Sequence, residues 1–371
     1  MKKKIIFFHP YSVLGGADLS ISKLISCCPK NYDLEFLTLS KKPKIKFYLK
    51  KEIKIYKLNH ARLFFSIFEI RKKLKKEINI YDQIIFISNQ NFANIVSLIS
   101  LFKLKKIKKI CFERNHLSEL NYASNFSNSF KNKILKFFIK LFYRYSDLIV
   151  GNSYELSNDL KDFIGRKVNT LQNFYDFEKI IRDSNYKIKK KIKFKKNIVL
   201  NVGRLEDQKN QILLIKSFKI ILKKKHNINL LIIGNGSKKN ILLDYIRHHK
   251  LSKNIQIISD VKNSLPYFKK SQILVSTSRY EGFPNVIVEA LALNVPIIST
   301  YYKSGITEIL LNGKGGVVLK DNTAKNIADN IIFHMKNKKI IKQKMLFAKK
   351  NLKNFNFENG KNKFKKLINN L

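Results

Sequence analysis

Four charged side chains in the C-terminal half stand where a phosphate-bearing ligand would need them. Val202-Gly203-Arg204-Leu205-Glu206-Asp207-Gln208-Lys209-Asn210 opens the loop after an apolar strand. Arg204 supplies a planar fork and Lys209 a compact charge, and a diphosphate uses both. In a chain this rich in lysine, the pair also reads as two surface cations. Ser278–Ala290 follows another strand, with Glu281 in its loop, Pro284 at the first turn of a helix, and Glu289 about a turn further on. The backbone from Gly282 through Phe283, Pro284 and Asn285 to Val286 lines that loop. One carboxylate there can accept from sugar hydroxyls and the other can take a ribose diol. Glutamates near a helix start also serve as caps. Glu289, on a helix otherwise apolar, fits capping less well, because a buried carboxylate is costly unless paired.

Glycine is scarce, 13 in 371 residues, so its clusters carry information. Leu14-Gly15-Gly16-Ala17-Asp18 lies between the first strand and a helix. Gly15 and Gly16 suit either a close ligand approach at a helix N-terminus or a plain tight turn. Neither this cluster nor Gly234-Asn235-Gly236 makes the G-x-G-x-x-G of dinucleotide enzymes, which counts against a dehydrogenase. Glu113-Arg114-Asn115-His116 ends another strand. Arg114 and His116 suit contacts to an acceptor phosphate or hydroxyl, or a structural cluster at a strand end.

The elements that must position these residues are legible as alternation. Ile5–Phe8, Leu34–Leu39, Gln83–Ser88, Lys109–Glu113 and Leu148–Asn152 read as buried strands. Ile198–Gly203, Asn229–Gly234, Ile255–Ile258, Ile273–Thr277 and Val295–Thr300 form a second set. Helical stretches such as Asp18–Ser26 and Gln211–Lys225 lie between them. Apolar strands interleaved with helices predict parallel sheets covered on both faces, hence two α/β doubly wound domains. Residues 1–176 form the first, 177–197 a solvated basic linker, and 198–355 the second. A last helix within 356–371 suits either domain, and packing back on the first is the expectation. Ligands of open α/β sheets bind beyond the carboxyl ends of the strands, so the two domains are expected to face a central cleft.

The net charge is +48, from 74 Lys+Arg against 26 Asp+Glu. It is diffuse: residues 1–186 carry +19, 187–196 carry +7 and 197–371 carry +22. That distribution argues for a chain-wide bias and against a dedicated nucleic-acid face, though it still favours anionic membranes. Three stretches mix aromatic residues with cations: Arg62–Lys76, Leu101–Lys109 and Phe130–Tyr145. They read as interfacial helices or as ordinary helices with lysine outside. Cys27, Cys28 and Cys111 make neither a disulfide framework nor metal spacing, which suits a reducing compartment. No apolar run reaches the length of a membrane span. The apolar run after Lys2–Lys4 breaks at His9-Pro10, too early for a signal peptide. A cytoplasmic protein, peripheral on the inner membrane's cytoplasmic face, is expected.

Taken together, the motifs resemble the retaining glycosyltransferases of family four, group 1, with the GT-B fold. The matching segments are Gly15-Gly16, Ser146–Ser153, Asn201–Asn210, Ser278–Thr300 and Ser304–Leu310. Two departures stand out. Asn294 replaces a usual Gly, which is expected to reshape a loop, and Ile306-Thr307 replaces the Pro-Lys of relatives that transfer N-acetylated hexosamines. The resemblance implies that Arg204 and Lys209 bind the donor diphosphate, Glu281 holds the donor sugar, and Glu289 binds the ribose. The Gly16 amide and those around Phe283–Val286 assist. It implies no metal and no cofactor. The activity implied is transfer of a hexose or N-acetylhexosamine from a nucleotide-sugar, such as a UDP-sugar, to a lipid-linked or surface-polysaccharide acceptor, with retention. A UDP-sugar epimerase of the same architecture and a non-catalytic basic nucleic-acid binder are the rival readings.

Overall fold

The computed structural model describes residues 1–12, 15–49, 53–60, 62–122 and 126–371, the side chains of 126–128 excepted. The chain forms two compact units, residues 1–173 with 357–371 and residues 174–356. The first begins with β1 (Lys3–Phe8), α1 (Gly16–Cys27), β2 (Tyr32–Thr38), β3 (Lys54–Lys57), α2 (Ser66–Glu77) and β4 (Gln83–Asn89). It continues with α3 (Asn91–Ser100), β5 (Ile107–Glu113), α4 (Phe126–Phe142), β6 (Leu148–Gly151), α5 (Tyr154–Ile164) and β7 (Asn169–Thr170). The second opens with α6 (Phe177–Asp183), β8 (Ile198–Val202), α7 (Gln211–Lys223), β9 (Asn229–Ile233), α8 (Lys239–His248) and β10 (Ile255–Ile258). Then come α9 (Leu265–Phe268), β11 (Ile273–Ser276), α10 (Asn285–Ala292), β12 (Ile297–Thr300), α11 (Ile306–Ile309) and β13 (Val317–Leu319). It closes with α12 (Ala324–Lys336) and α13 (Lys338–Asn351), after which α14 (Phe357–Asn369) returns to the first unit.

Both sheets are parallel. Their orders are β3-β2-β1-β4-β5-β6-β7 and β10-β9-β8-β11-β12-β13. The ten predicted strands are present. Three short ones, β3, β7 and β13, carry too little apolar sequence to stand out. Strands such as β1 are buried almost end to end because helices cover both faces. In the second unit Leu200, Leu231 and Leu274 face α10, while Val199, Leu230 and Val275 face α7 and α12. In each sheet the order reverses once, between β1 and β4 and between β8 and β11.

Local signals set the helix ends. Ser153 caps α5 by accepting from the Leu156 amide, and Gly165 ends it in the left-handed conformation at φ 68°. Asn294, which stands where the resembled family has Gly, adopts the left-handed region at φ 58°. Asn tolerates that region better than other non-glycine residues.

One expectation about the chain's organisation changes. Residues 177–197 are not a solvated linker. They begin with α6, and Phe177, Ile188, Ile192 and Phe194 pack against the core of the second unit. Lys190 Nζ donates to the Ser259 carbonyl at 2.7 Å, and the Lys193 amide donates to Gln256 at 2.9 Å. The lysines mask a spaced apolar set that is large enough to hold the segment down. The last helix belongs to the first unit, where Phe364 and Ile368 are buried and the Phe364 ring lies 6.5 Å from that of Phe112. A buried quartet also pins α2 to β1 and β2. Lys4 meets Glu35 at 2.6 Å and Glu77 at 2.7 Å, and Lys73 meets the same two at 3.0 and 2.7 Å.

Phe364→Ala removes a fully buried ring from this seam and is expected to cost about 3–5 kcal/mol. Urea denaturation checks this, and a loss below about 1 kcal/mol would show that the ring is not part of the first unit's core.

Candidate functional site

The second unit gathers the predicted donor residues at its reversal point, where open α/β sheets bind ligands. β8 and β11 are neighbours, and the loops that follow them carry Arg204, Lys209 and Glu281. Lys209 Nζ pairs with Glu281 Oε1. Ser278 Oγ donates to the same carboxylate oxygen at 2.8 Å. Gln208 joins the group. Its side-chain oxygen accepts from Arg204 Nη2 at 2.8 Å, and its nitrogen donates to the Tyr280 carbonyl at 3.1 Å. Glu281 is 8% exposed, so its charge is held by Lys209 and Ser278 rather than by water. Arg204 is exposed.

The 203–210 loop is held from both sides. On one flank, the Leu205 amide donates to Asn235 at 2.8 Å, and the Lys238 amide returns a bond to Leu205 at 2.9 Å. Glu206 accepts from the amide and hydroxyl of Ser237 at 2.8 and 2.7 Å, which lowers its pKa. This contact explains two glycines. A Cβ on Gly234 would lie 1.9 Å from the Gly203 oxygen, and one on Gly236 would lie 2.3 Å from the Leu205 oxygen. On the other flank, Thr277 Oγ1 donates to the Lys209 and Asn210 carbonyls at 3.0 and 3.1 Å, and the Arg279 amide donates to Gln208 at 2.8 Å.

The remaining donor candidates line up behind Glu281. Gly282, Phe283 and Pro284 are buried, with Phe283 edge-on to Phe355 at 5.6 Å. Pro284 stands at the N-cap of α10 rather than in its first turn, and Asn285 accepts from the Tyr175 hydroxyl. Val286 and Glu289 are half-buried on α10. Gln208, Ser278 and Tyr302 escaped the sequence reading. Tyr302 is 3% exposed, and burial together with the nearby Glu281 charge raises its phenol well above the ordinary range. Only adjacency to the named motifs signalled the first two, and nothing signalled Tyr302.

The first unit places Gly15 as the N-cap of α1 and Gly16 as its first residue, after β1 and beside that sheet's reversal point. Leu14 lies outside the described residues. Among the described residues a Cβ on Gly15 would meet nothing within 4 Å, and its φ of −135° suits any residue.

Arg114 and His116, assigned to an acceptor, are engaged inside the unit. Arg114 is 7% exposed. Its Nη1 donates to Ser20 at 2.6 Å and Asn173 at 3.2 Å, while Nε and Nη2 reach Asn89 at 3.3 Å. The guanidinium lies over the Phe112 ring at 5.1 Å. Burial lowers it to about 10, which leaves it charged at neutral pH. His116 Nδ1 accepts from the Ser118 amide at 3.0 Å, and Nε2 stands 2.9 Å from Asp159. Both residues hold strand ends together because each sits among polar partners that sequence spacing did not reveal. Beside them Glu113 is buried. Its pKa is pushed up to about 7 by burial, against the opposing bonds from the Tyr143 hydroxyl at 2.6 Å and the Arg114 amide.

Residues 183–352 match the family described as glycosyl transferases group 1. This segment of the second unit is similar to the group 1 glycosyltransferases. It is 35% identical over 196 residues to an uncharacterised glycosyltransferase of Methanocaldococcus jannaschii, covering 51% of this chain and 48% of that protein. It is 28% identical over 252 residues to the N-acetylgalactosamine-N,N'-diacetylbacillosaminyl-diphospho-undecaprenol 4-alpha-N-acetylgalactosaminyltransferase of Campylobacter jejuni, covering 67% of this chain and 65% of that one. The chain thus spans about half to two thirds of the length of these relatives. The crystal structure of Anabaena HepE in complex with UDP superposes with a TM-score of 0.80 at 16% identity, covering 99% of this chain and 100% of that one. The fold is that of GT-B glycosyltransferases. Among the described residues no helix is long and apolar enough to cross a membrane.

Glu113 generates a pH prediction. Its folded value of about 7 exceeds the ordinary 4.5, so between these the unfolded chain ionises first and stability falls as pH rises. The loss attributable to this group reaches about 3 kcal/mol near pH 7 and grows no further above it. Glu113→Gln is expected to flatten that part of the stability–pH curve. Urea midpoints measured from acid to neutral pH test it, and parallel curves for the two proteins would refute it.

Proposed function

We propose that the protein transfers a hexose or N-acetylhexosamine from a nucleotide-diphosphate sugar, a UDP-sugar, to a lipid-linked or surface-polysaccharide acceptor with retention at the anomeric carbon. The observation that carries this reading is the convergence of Arg204, Lys209 and Glu281 on two interlocked loops at the reversal point of the second sheet. Cations fixed in this way stabilise charge as it develops on a departing diphosphate. The anomeric carbon–oxygen bond breaks, its electron pair leaves with the nucleotide diphosphate, and Arg204 and Lys209 take up that charge. The acceptor oxygen bonds to the same face of the carbon and passes its proton to the departing phosphate oxygen. Glu281 holds the donor sugar's hydroxyls, Glu289 the ribose, and the backbone of Gly282–Val286 assists.

Gly15 and Gly16 open α1 just after β1, and amides at a helix N-terminus suit a phosphate or sugar. UDP as the nucleotude-bearing half of the donor is supported by the Anabaena neighbour, whose structure holds it. A lipid-linked acceptor is supported by the C. jejuni relative, named for a diphospho-undecaprenol substrate. Other similar proteins carry the name of capsular polysaccharide biosynthesis glycosyltransferases.

Incubation with UDP-sugars and undecaprenyl-diphosphate-linked sugars, with UDP release and product linkage measured, tests the reading. Glu281→Ala and Lys209→Ala are each expected to lower turnover at least about a hundredfold while leaving the folded circular-dichroism spectrum in place. Full turnover in both variants would refute the site. Conversion of the UDP-sugar to an isomer without acceptor would favour an epimerase.

A further inference from the structure

Helix α4 is apolar on two opposite sides. Leu135, Ile139 and the following Tyr143 are buried against β5 and β6. On the far side Phe130, Ile134, Phe137 and Phe138 are 59, 39, 63 and 38% exposed. Their spacing of i, i+4, i+7 and i+8 makes one stripe along the helix. A second aromatic group lies at the turn Leu63–Phe65 and the start of α2, where Phe64, Phe65 and Phe68 are 67, 56 and 80% exposed.

The two groups belong to one layer. α3 packs against α2 on one side and α4 on the other. Arg71 of α2 donates to the carbonyls of Ser100 and Phe102 at 3.0 and 2.8 Å. The half-exposed Phe102 ring meets Tyr145, just beyond α4, edge-on at 5.2 Å. The three aromatic-basic stretches noted in the sequence, far apart in the chain, thus converge in a single helical layer.

Its charge has one sign. Lys72, Lys75 and Lys76 of α2 and Lys131, Lys133 and Lys140 of α4 are exposed. α4 contains no carboxylate. The two on α2 are paired, Glu69 with the Asn59 amide and Glu77 with Lys4 and Lys73. Rings without polar tips, set among cations, meet the two requirements of an anionic bilayer interface, apolar insertion and headgroup attraction. Single-stranded nucleic acid could use the same cations and rings, and the test below separates it from a bilayer.

We propose that the α2–α4 layer of the first unit docks on an anionic lipid bilayer, with Phe64, Phe68, Phe137 and Phe138 entering the headgroup region. The proposal rests on the first unit alone and is independent of the donor-site reading.

The chain contains no tryptophan, so one introduced residue is an unambiguous reporter. Phe68→Trp and Phe137→Trp are made in the full chain, with Phe64→Trp as a replicate. Phe347→Trp, 48% exposed on α13 of the second unit, is the control. Each is mixed with phosphatidylcholine vesicles with or without phosphatidylglycerol. The layer's reporters are expected to shift to the blue and to be quenched by brominated acyl chains only with the anionic lipid, while the control does neither. Replacing Phe68, Phe137 and Phe138 together by Ser is expected to weaken vesicle binding by about tenfold or more. Binding without a blue shift, or an equal shift in the control, would show attraction by net charge alone and overturn the proposal. A blue shift that appears without lipid and grows with protein concentration would assign the face to a second copy of the chain. The same shift with single-stranded DNA in place of vesicles would assign it to nucleic acid. Either result would overturn the proposal.

Discussion

The arrangement of Arg204, Lys209 and Glu281 depends on one constraint, the fixing of the 203–210 loop between its two neighbours. Backbone bonds tie Leu205 to the Asn235–Lys238 segment, and Thr277 and Arg279 tie Lys209 and Gln208 from the other side. Only with both flanks engaged do the two cations stand where β8 and β11 end. The contact on the glycine side is so close that any Cβ at 234 or 236 would collide with backbone oxygen. A flexible loop carrying the same residues would leave their orientation to be fixed during the reaction, and preorganisation is what makes such electrostatic stabilisation effective.

The pairing of Lys209 with Glu281 adds a second consequence. The two opposite charges satisfy each other within the chain, so the largely buried Glu281 carboxylate has a counter-charge. Ser278 donates to the same carboxylate oxygen and so holds it from a second side. In the first unit a comparable density of polar contacts does different work. Arg114 joins Ser20, Asn89 and Asn173, and so links α1, the end of β4 and the segment after β7.

Much of the fold was legible because parallel strands buried on both faces leave continuous apolar runs. β1, β4, β8 and β9 all read this way. β3 did not, because Lys54-Ile55-Tyr56-Lys57 lies at a sheet edge and is only partly buried. The basic segment 187–196 was misread for a related reason, since seven lysines outweighed Ile188, Ile192 and Phe194 in composition although packing depends on the latter. At the site, Arg204, Lys209 and Glu281 were readable from their position after strands. Gln208, which bonds to Arg204, was not, because an amide between charged residues gives no sign of which backbone it will meet. Arg114 and His116 were readable both as acceptor contacts and as a strand-end cluster, but their partners were not, because Asn173 and Asp159 lie 59 and 43 positions away in the chain. The Lys4–Glu35–Lys73–Glu77 quartet was invisible for the same reason.

The return of α14 makes the first unit a product of two segments that flank the second in sequence. During synthesis β1 to β7 emerge long before the helix that covers Phe112. The entire second unit must leave the ribosome before that apolar seam can close. The nascent N-terminal sheet therefore waits with one flank uncovered, a period in which chaperones have a hydrophobic surface to hold. Completion of the first unit is thereby tied to the synthesis of the segment that follows the second.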